Sequence, residues 1–250
     1  MSECLVVAAD CVKIMKEMVG KYDLVFADPP FNINYQYDQY NDSLEYDEYL
    51  EWSRKWIGAV KGILKTTGSF WLASGDTFAS ELDVMCRREF GFHRRSWCIW
   101  HYTFGVNCKA KFTPSHTHLF HYVVDKNNFK FNANAIKIPS ARQTKYKDKR
   151  AKSGGRLPDD VWQFPRVCGT HKERQGWHPA QMPLSVVERI ILTSTNEGDN
   201  VFDPFAGSGT TLIAALKHGR NCLGAEISTN YCDRIRSRME NFRNSHELLP

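Results

Sequence analysis

Asp28-Pro29-Pro30-Phe31 stands directly after the apolar run Leu24-Val25-Phe26-Ala27. Two consecutive prolines fix the backbone and remove two N–H donors, so the neighbouring carbonyls are left to accept. A carboxylate and a carbonyl held rigidly at a strand end can together take both hydrogens of one NH2 group. Phe31 offers a flat face on which a planar base can stack. Alone, the tetrapeptide would be no more than a Pro-Pro loop closing a strand. Far along the chain, however, Asp203-Pro204-Phe205-Ala206-Gly207-Ser208-Gly209-Thr210-Thr211 separates an apolar run from a stretch of helical period. Its two glycines permit a tight turn whose backbone approaches a ligand closely, near a helix N-terminus. Glu226 ends the following strand, placed to accept hydrogen bonds from ribose hydroxyls. Leu212 occupies the place of the third glycine of a dinucleotide fingerprint, and the lysine of a phosphate loop is missing. These residues point to an adenosine-containing cofactor that lacks a pyrophosphate.

The elements that must position these groups alternate between short apolar runs and stretches of helical period, the pattern of a mainly parallel sheet covered by helices. Strands are expected at 5–9, 23–27, 69–73, 97–101, 119–124, 200–203 and 222–225. Tyr49, Trp52, Trp56, Val60 and Ile63 line one face of a helix over 46–64. Leu184, Val187 and Ile191 mark a second helix, and Tyr231, Ile235, Met239 and Phe242 a last one. The stretch from about 127 to 176 breaks the rhythm with Pro, Gly, Asn and basic residues. A compact fold seldom keeps so long an irregular stretch unless it binds something.

The 250 residues, 42% hydrophobic and 24% charged, suit one α/β domain with a real core. No apolar run reaches the roughly 18 residues of a membrane span, and the first residues lack a basic signal region. A cytosolic or nucleoid-associated location is expected. The eight cysteines form no C-x-x-C pair, which argues against a zinc site and suits reduced, buried thiols. A net charge of +5 names no partner, but its distribution does more. Arg142, Lys145, Lys147, Lys149, Arg150, Lys152 and Arg156 face only Asp148 in sequence, which suits either a solvated loop or contacts to phosphates. His116, His118 and His121 show neither the spacing nor the acidic partner of a metal site. Trp97 and Trp100 read as core, and Asp76 as a loop residue.

The two motifs resemble those of the DNA amino-methyltransferases. Asp28-Pro29-Pro30-Phe31 is similar to their D-P-P-Y/F catalytic motif, and Phe205-Ala206-Gly207-Ser208-Gly209 to their F-x-G-x-G cofactor motif. The catalytic motif comes first and the cofactor loop last, the permuted order of the β group. Ala9-Asp10-Cys11 resembles that group's G-D-C segment near the cofactor adenine. Asp160-Val161-Trp162 resembles the D-V-W that closes its recognition region. His178-Pro179-Ala180-Gln181-Met182-Pro183 resembles its H-P-T-Q-K-P turn, with Ala180 and Met182 replacing Thr and Lys. Phe31 replaces the commoner Tyr, which keeps the stacking face. The matches run from about residue 8 to residue 231.

The resemblance implies a Rossmann-like S-adenosylmethionine-dependent methyltransferase fold. Its mostly parallel seven-stranded sheet would carry helices on both faces, with one catalytic domain over 1–250 and a target-recognition segment inserted at about 127–176. It implies catalysis by Asp28, Pro29, Pro30 and Phe31. S-adenosylmethionine would be held by Asp10, Cys11, Ala27, His178, Gln181, Pro183, the 203–211 loop, Glu226 and Ile227. Double-stranded DNA would be held by Arg142, Lys145, Lys147, Lys149, Arg150 and Lys152. No metal is expected. A prokaryotic or phage source, no membrane contact and room for a homodimer complete the expectation. The expected target is adenine N6, extruded from the duplex. Cytosine N4 is the alternative, since its enzymes more often carry Ser in place of Asp28. Less favoured are a DNA-binding accessory subunit that has lost catalysis, and methylation of RNA or of protein glutamine. A cysteine nucleophile for cytosine C5 is not suggested, because no Pro-Cys pair occurs.

Overall fold

The computed structural model describes residues 2–103, 105, 107–150 and 153–247. In chain order its elements are β1 (Cys4–Ala8), α1 (Cys11–Met15), β2 (Tyr22–Ala27), β3 (Tyr35–Gln36), β4 (Asn41–Asp42), α2 (Tyr46–Ile63), β5 (Leu64–Ser74) and α3 (Ala79–Val84). After a π-helical turn at Met85–Glu89 come β6 (His93–His101) and β7 (His116–Val123). A 3-10 turn at Ala133–Ile136 precedes α4 (Ala141–Thr144), β8 (Val161–Gln163), α5 (Leu184–Ser194), β9 (Asn200–Asp203), α6 (Thr210–Lys217), β10 (Asn221–Glu226) and α7 (Thr229–Glu247).

β2 shows why the centre of the sheet forms where it does. From Asp23 to Ala27 it is buried on both faces, the near-continuous apolar run of a strand with helices above and below. Its neighbours are β5 and β9, both parallel to it, with Leu24 opposite Ser69 and Val201. The main sheet runs in the order β1-β10-β9-β2-β5-β7-β6-β8. The pairs β5–β7 and β6–β7 are antiparallel and the other five are parallel. α5, α6 and α7 pack on one face through Val186, Ile190, Leu212 and Ile235. On the other face lie α1, α2 and α3 through Met15, Trp56, Val60 and Leu82. α2 starts at a capping box in which Glu45 and Glu48 exchange backbone and side-chain contacts. Burying Tyr49, Trp56, Val60 and Ile63 then fixes its inward face, as its period predicts.

The seven strands expected from sequence are all present, and an eighth joins them. β8, which overlaps Asp160-Val161-Trp162, pairs in parallel with Ile99–His101 of β6. Trp162 is buried, its indole N–H donates to the Asp159 carbonyl at 2.9 Å, and the Arg189 guanidinium of α5 lies 5.0 Å over its ring. A three-residue strand leaves no periodic signature, so tertiary packing alone reveals it. β6 is longer than expected, and its first half forms an exposed edge. Trp97 is therefore half-exposed rather than core, unlike Trp100, which is buried with its indole N–H on the Phe164 carbonyl. Among the described residues, no helix is long and apolar enough to cross a membrane.

Candidate active site

Strand polarity gathers the motifs. β1, β10, β9, β2 and β5 run in parallel, so their C-terminal ends share one edge of the sheet. Along that edge lie Asp10 after β1, Glu226 at the end of β10, the 203–209 turn after β9, and Asp28 after β2. The crevice outside the carboxyl ends of parallel strands is where ligands bind in such sheets.

Asp203 ends β9 and bends the chain. Its carboxylate accepts from the Phe205 N–H at 2.9 Å, and the Ala206 N–H donates to the Ala225 carbonyl at 2.9 Å. Phe205 turns away from the crevice and packs 5.2 Å from Trp56 and 5.6 Å from Trp52. Pro204, Ala206, Ser208, Thr210 and Thr211 are also buried. What this segment presents is therefore backbone. Gly207 (φ 52°) and Gly209 (φ 78°) both adopt the left-handed conformation that favours glycine. A Cβ at Gly207 would lie 3.0 Å from the His178 ring, and one at Gly209 2.8 Å from Ile235. The half-buried Arg238 braces the turn, donating to the Ser208 carbonyl at 2.7 Å. Glu226 closes it: its Oε2 accepts from the Gly207 N–H and its Oε1 from the Ser228 N–H, each at 2.9 Å.

The electrostatics select a ligand. Burial pushes the Asp28 carboxyl up to about 7, and the charge of Asp203 adds to the rise. Burial likewise pushes Asp203 up to about 7, against the Thr211 hydroxyl and Phe205 N–H that lower it, with Glu226 raising it further. Glu226 is raised in turn, chiefly by burial. Three acidic groups beside a glycine turn repel a pyrophosphate and suit a cationic, adenosine-bearing molecule. S-adenosylmethionine, with a sulfonium and an ammonium group, fits this cradle.

These shifts have a pH consequence. Both aspartates hold protons in the fold at pH values where an unfolded chain has released them. The cofactor-free protein should therefore lose stability as pH rises from about 4 through about 7. A cationic ligand favours ionised Asp203, so affinity for S-adenosylmethionine should rise over the same interval. Calorimetry at pH 6 and pH 8 checks this, and equal affinities would show that Asp203 does not meet the ligand's charge.

The His178 turn lies against the glycine loop. Its ring packs 5.0 Å from Tyr231 and 6.0 Å from Tyr37, and burial pushes it down to about 4, so it is neutral. Gln181 is buried and its amide is engaged: Nε2 donates to the Glu173 carbonyl and Oε1 accepts from the Gln175 N–H. Its side chain thus shapes the turn. Pro183 precedes α5, whose first N–H, that of Leu184, donates to Glu173. At the other end of the cradle, Asp10 caps α1 by accepting from the Lys13 N–H, Cys11 and Ala27 are buried, and Ile227 is exposed.

Around Asp28 the structure adds residues that the sequence reading passed over. Phe31 packs over Gly75, where a Cβ would lie 3.2 Å from the ring. The Pro30 carbonyl accepts from the Tyr49 hydroxyl at 2.8 Å, which locks the proline pair onto α2. The chain then forms the β3–β4 hairpin, pinned by the fully buried Asp42, which accepts from the N–H groups of Asn32 and Ile33. Asn32 and Asn34 take left-handed backbone here. The hairpin tip brings Tyr37 beside Asp28, whose charge raises it after burial does, and Asp38 accepts from the Ser228 hydroxyl. This strap links the catalytic motif to the Glu226 end of the cofactor cradle. Its sequence signal was the pair Asn32 and Asn34 beside Tyr35, Tyr37 and Tyr40.

His116 and His118 have an acidic partner after all. The loop residue Asp76 reaches both Nε2 atoms at 3.2 Å. The three ligand atoms lie within 4.8 Å of one another, close enough for a metal ion. The Trp97 indole N–H, however, donates to His118 Nδ1 at 2.9 Å. A neutral His118 then carries its proton on Nε2 and gives it to Asp76, which turns a donor toward the point a metal would occupy. A ligating histidine shows the reverse pattern, its second nitrogen donating outward.

Of the basic segment, Arg142, Lys145, Lys147, Lys149 and Arg150 are exposed, and Lys152 lies outside the described residues. Asp148 pairs with Arg150 at 3.1 Å and more loosely with Arg142 at 3.9 Å, and Arg156 pairs with Asp159.

A Rossmann-like sheet with an acidic, glycine-lined cradle beside Asp-Pro-Pro-Phe defines an adenosine-cofactor methyltransferase. The comparisons narrow it: the model of the DNA methylase family matches residues 22–237, and the chain belongs to that family. It is 30% identical over 244 residues to the type II methyltransferase M.HpaI of Haemophilus parainfluenzae, covering 97% of this chain and 76% of that protein. It is 34% identical over 231 residues to the DNA adenine methyltransferase YhdJ of Escherichia coli K12, covering 89% and 76%. Its fold matches that of the cytosine-N4-specific PvuII DNA methyltransferase with a TM-score of 0.73 at 18% identity, over 98% of this chain and 91% of the other. The M1.HpyAVI–SAM complex gives 0.67 at 24%, over 94% and 98%.

Proposed function

We propose that the protein transfers a methyl group from S-adenosylmethionine to the N6 amine of an adenine extruded from duplex DNA. The observation that carries the reading is Asp28 with its proline pair, standing on the same sheet edge as the acidic glycine cradle. When bound, S-adenosylmethionine supplies an electrophilic methyl carried on sulfur. An exocyclic amine is a poor nucleophile because its lone pair is delocalised into the ring. Asp28 and the Pro29 carbonyl accept its two hydrogens, which turns the lone pair outward and stabilises the charge that develops on nitrogen. Asp28 is also placed to receive the proton that the nitrogen then sheds. Phe31 stacks on the base, and the family likeness to an adenine enzyme supports adenine over cytosine. Incubation of methyl-labelled cofactor with duplex DNA, RNA and protein in parallel, followed by digestion of the nucleic acids to nucleosides, tests the reading. Label in N6-methyl-2′-deoxyadenosine is expected. Label in N4-methyl-2′-deoxycytidine would replace the target, and label in RNA or protein alone would overturn the DNA assignment.

In the same reading, residues 127–176 carry target recognition, and the protein works in the cytoplasm on the bacterial chromosome, alone or as a homodimer. Replacing Lys145, Lys147 and Lys149 together by alanine should weaken DNA binding broadly across sequences. The log–log salt slope should flatten by up to roughly 3 units, about 0.9 per phosphate contact. Cofactor affinity should hardly change. A slope equal to wild type would make this a solvated loop and move the phosphate contacts to another basic surface. One candidate is the concavity of about 460 Å³ lined by Arg87, Arg88, His93, Arg94, Arg95 and Lys126.

A further inference from the structure

The connection from β6 to β7 rises from the catalytic edge of the sheet. His101 at the end of β6 faces His116 at the start of β7, and His118 faces Ser74, two residues before Asp76. Gly75, between them, packs on Phe31. The base of the connection is tied down: the Tyr102 N–H donates to the Ser115 carbonyl at 2.9 Å and its hydroxyl to the His116 carbonyl at 3.0 Å. The Cys108 N–H reaches the Thr113 hydroxyl at 3.4 Å. Above this base stands Phe112, 99% exposed, with the exposed Lys109 and Lys111 beside it. A phenyl ring left in water forgoes the burial that ordinarily draws it inward. Phe112 can extend no more than about 14 Å from His116, four residues away, so it stays near the end of the sheet that carries Asp28.

Extruding a base leaves a gap in the stack, and apolar side chains are the groups that enter and hold such steps. Resting on the duplex-DNA reading above, we propose that Phe112 is the wedge that fills the vacated position, with Lys109 and Lys111 on the flanking phosphates. The ring is exposed because its counterpart is the DNA itself. In this role Phe112 is a positioning residue, acting on the base step while Asp28 and Phe31 hold the extruded base.

A pair of duplexes separates this role from a general contact. Both carry the protein's own methylation site, mapped from DNA methylated by the wild type. One keeps the target adenine paired, and the other places it opposite an abasic site, which removes most of the cost of extrusion. Single-turnover methylation by Phe112→Ala should fall about tenfold or more on the paired duplex. It should return to within about threefold of wild type on the abasic one, and Phe112→Trp should stay near wild type on both. Equal rates for wild type and Phe112→Ala on the paired duplex would overturn the wedge, as would the same loss on both duplexes. A wild type that methylates no DNA at the mapping step would instead overturn the DNA reading, so the two failures are distinguishable. The side chain is exposed, so the substitution leaves the fold intact, which circular dichroism verifies.

Discussion

Asp28→Ala should lower the methyl-transfer rate by about 100- to 1,000-fold or more, the scale for losing one group aimed at developing charge. Cofactor affinity should stay within about twofold of wild type. Asp28 sits at the C-terminal end of β2, where Tyr49 on the Pro30 carbonyl locks the proline pair and Phe31 packs over Gly75. Truncation therefore removes the acceptor without disturbing its support. Asp28→Asn keeps an acceptor oxygen but loses the charge, so it should fall between the two. The wild-type rate should rise with pH through about 7 or somewhat below as Asp28 ionises, because only the carboxylate can hold the amine and receive its proton. In Asp28→Asn the residual rate should lose that limb. Single-turnover kinetics from pH 5.5 to 8.5 read both effects, and substantial turnover by a folded Asp28→Ala protein would remove Asp28 from the mechanism.

Glu226→Ala should weaken S-adenosylmethionine by about 1.5–3 kcal/mol, roughly 10- to 150-fold in Kd. We assign this residue two duties. Its oxygens accept from the Gly207 and Ser228 N–H groups, and the proposed ribose contact would draw on their remaining lone pairs. Removing the carboxylate frees the glycine turn as well as the sugar contact, so a lower Tm should accompany the loss of affinity. Isothermal titration and thermal melting separate the duties. A lower Tm with unchanged Kd would confine Glu226 to holding the turn, with the ribose bound elsewhere.

Much of the fold was legible because parallel strands buried on both faces are continuous apolar runs, and α2 announces itself through period and cap. The 203–211 turn was legible because its glycines are chemically required: positive φ at 207 and 209 excludes most other residues. The β3–β4 strap was not, since two-residue strands have no period, and neither was β8, whose three residues depend on Arg189 and β6. Trp97 read as core because sequence gives hydrophobicity but not which strand ends the sheet.

By itself the sequence determined the types of groups present: an acid before two prolines, a glycine turn between acids, and a basic irregular segment. Only the tertiary structure decided their company. It placed Asp28 and Asp203 on one edge because β2 and β9, distant in the chain, pair in parallel. It gave His116 and His118 a carboxylate from a loop, and it turned Phe205 into the core while leaving Phe112 in water. The physical reason is that local chemistry and period are written residue by residue. Burial, charge–charge proximity and strand order arise from contacts between residues far apart in sequence, and those exist only once the sheet has formed.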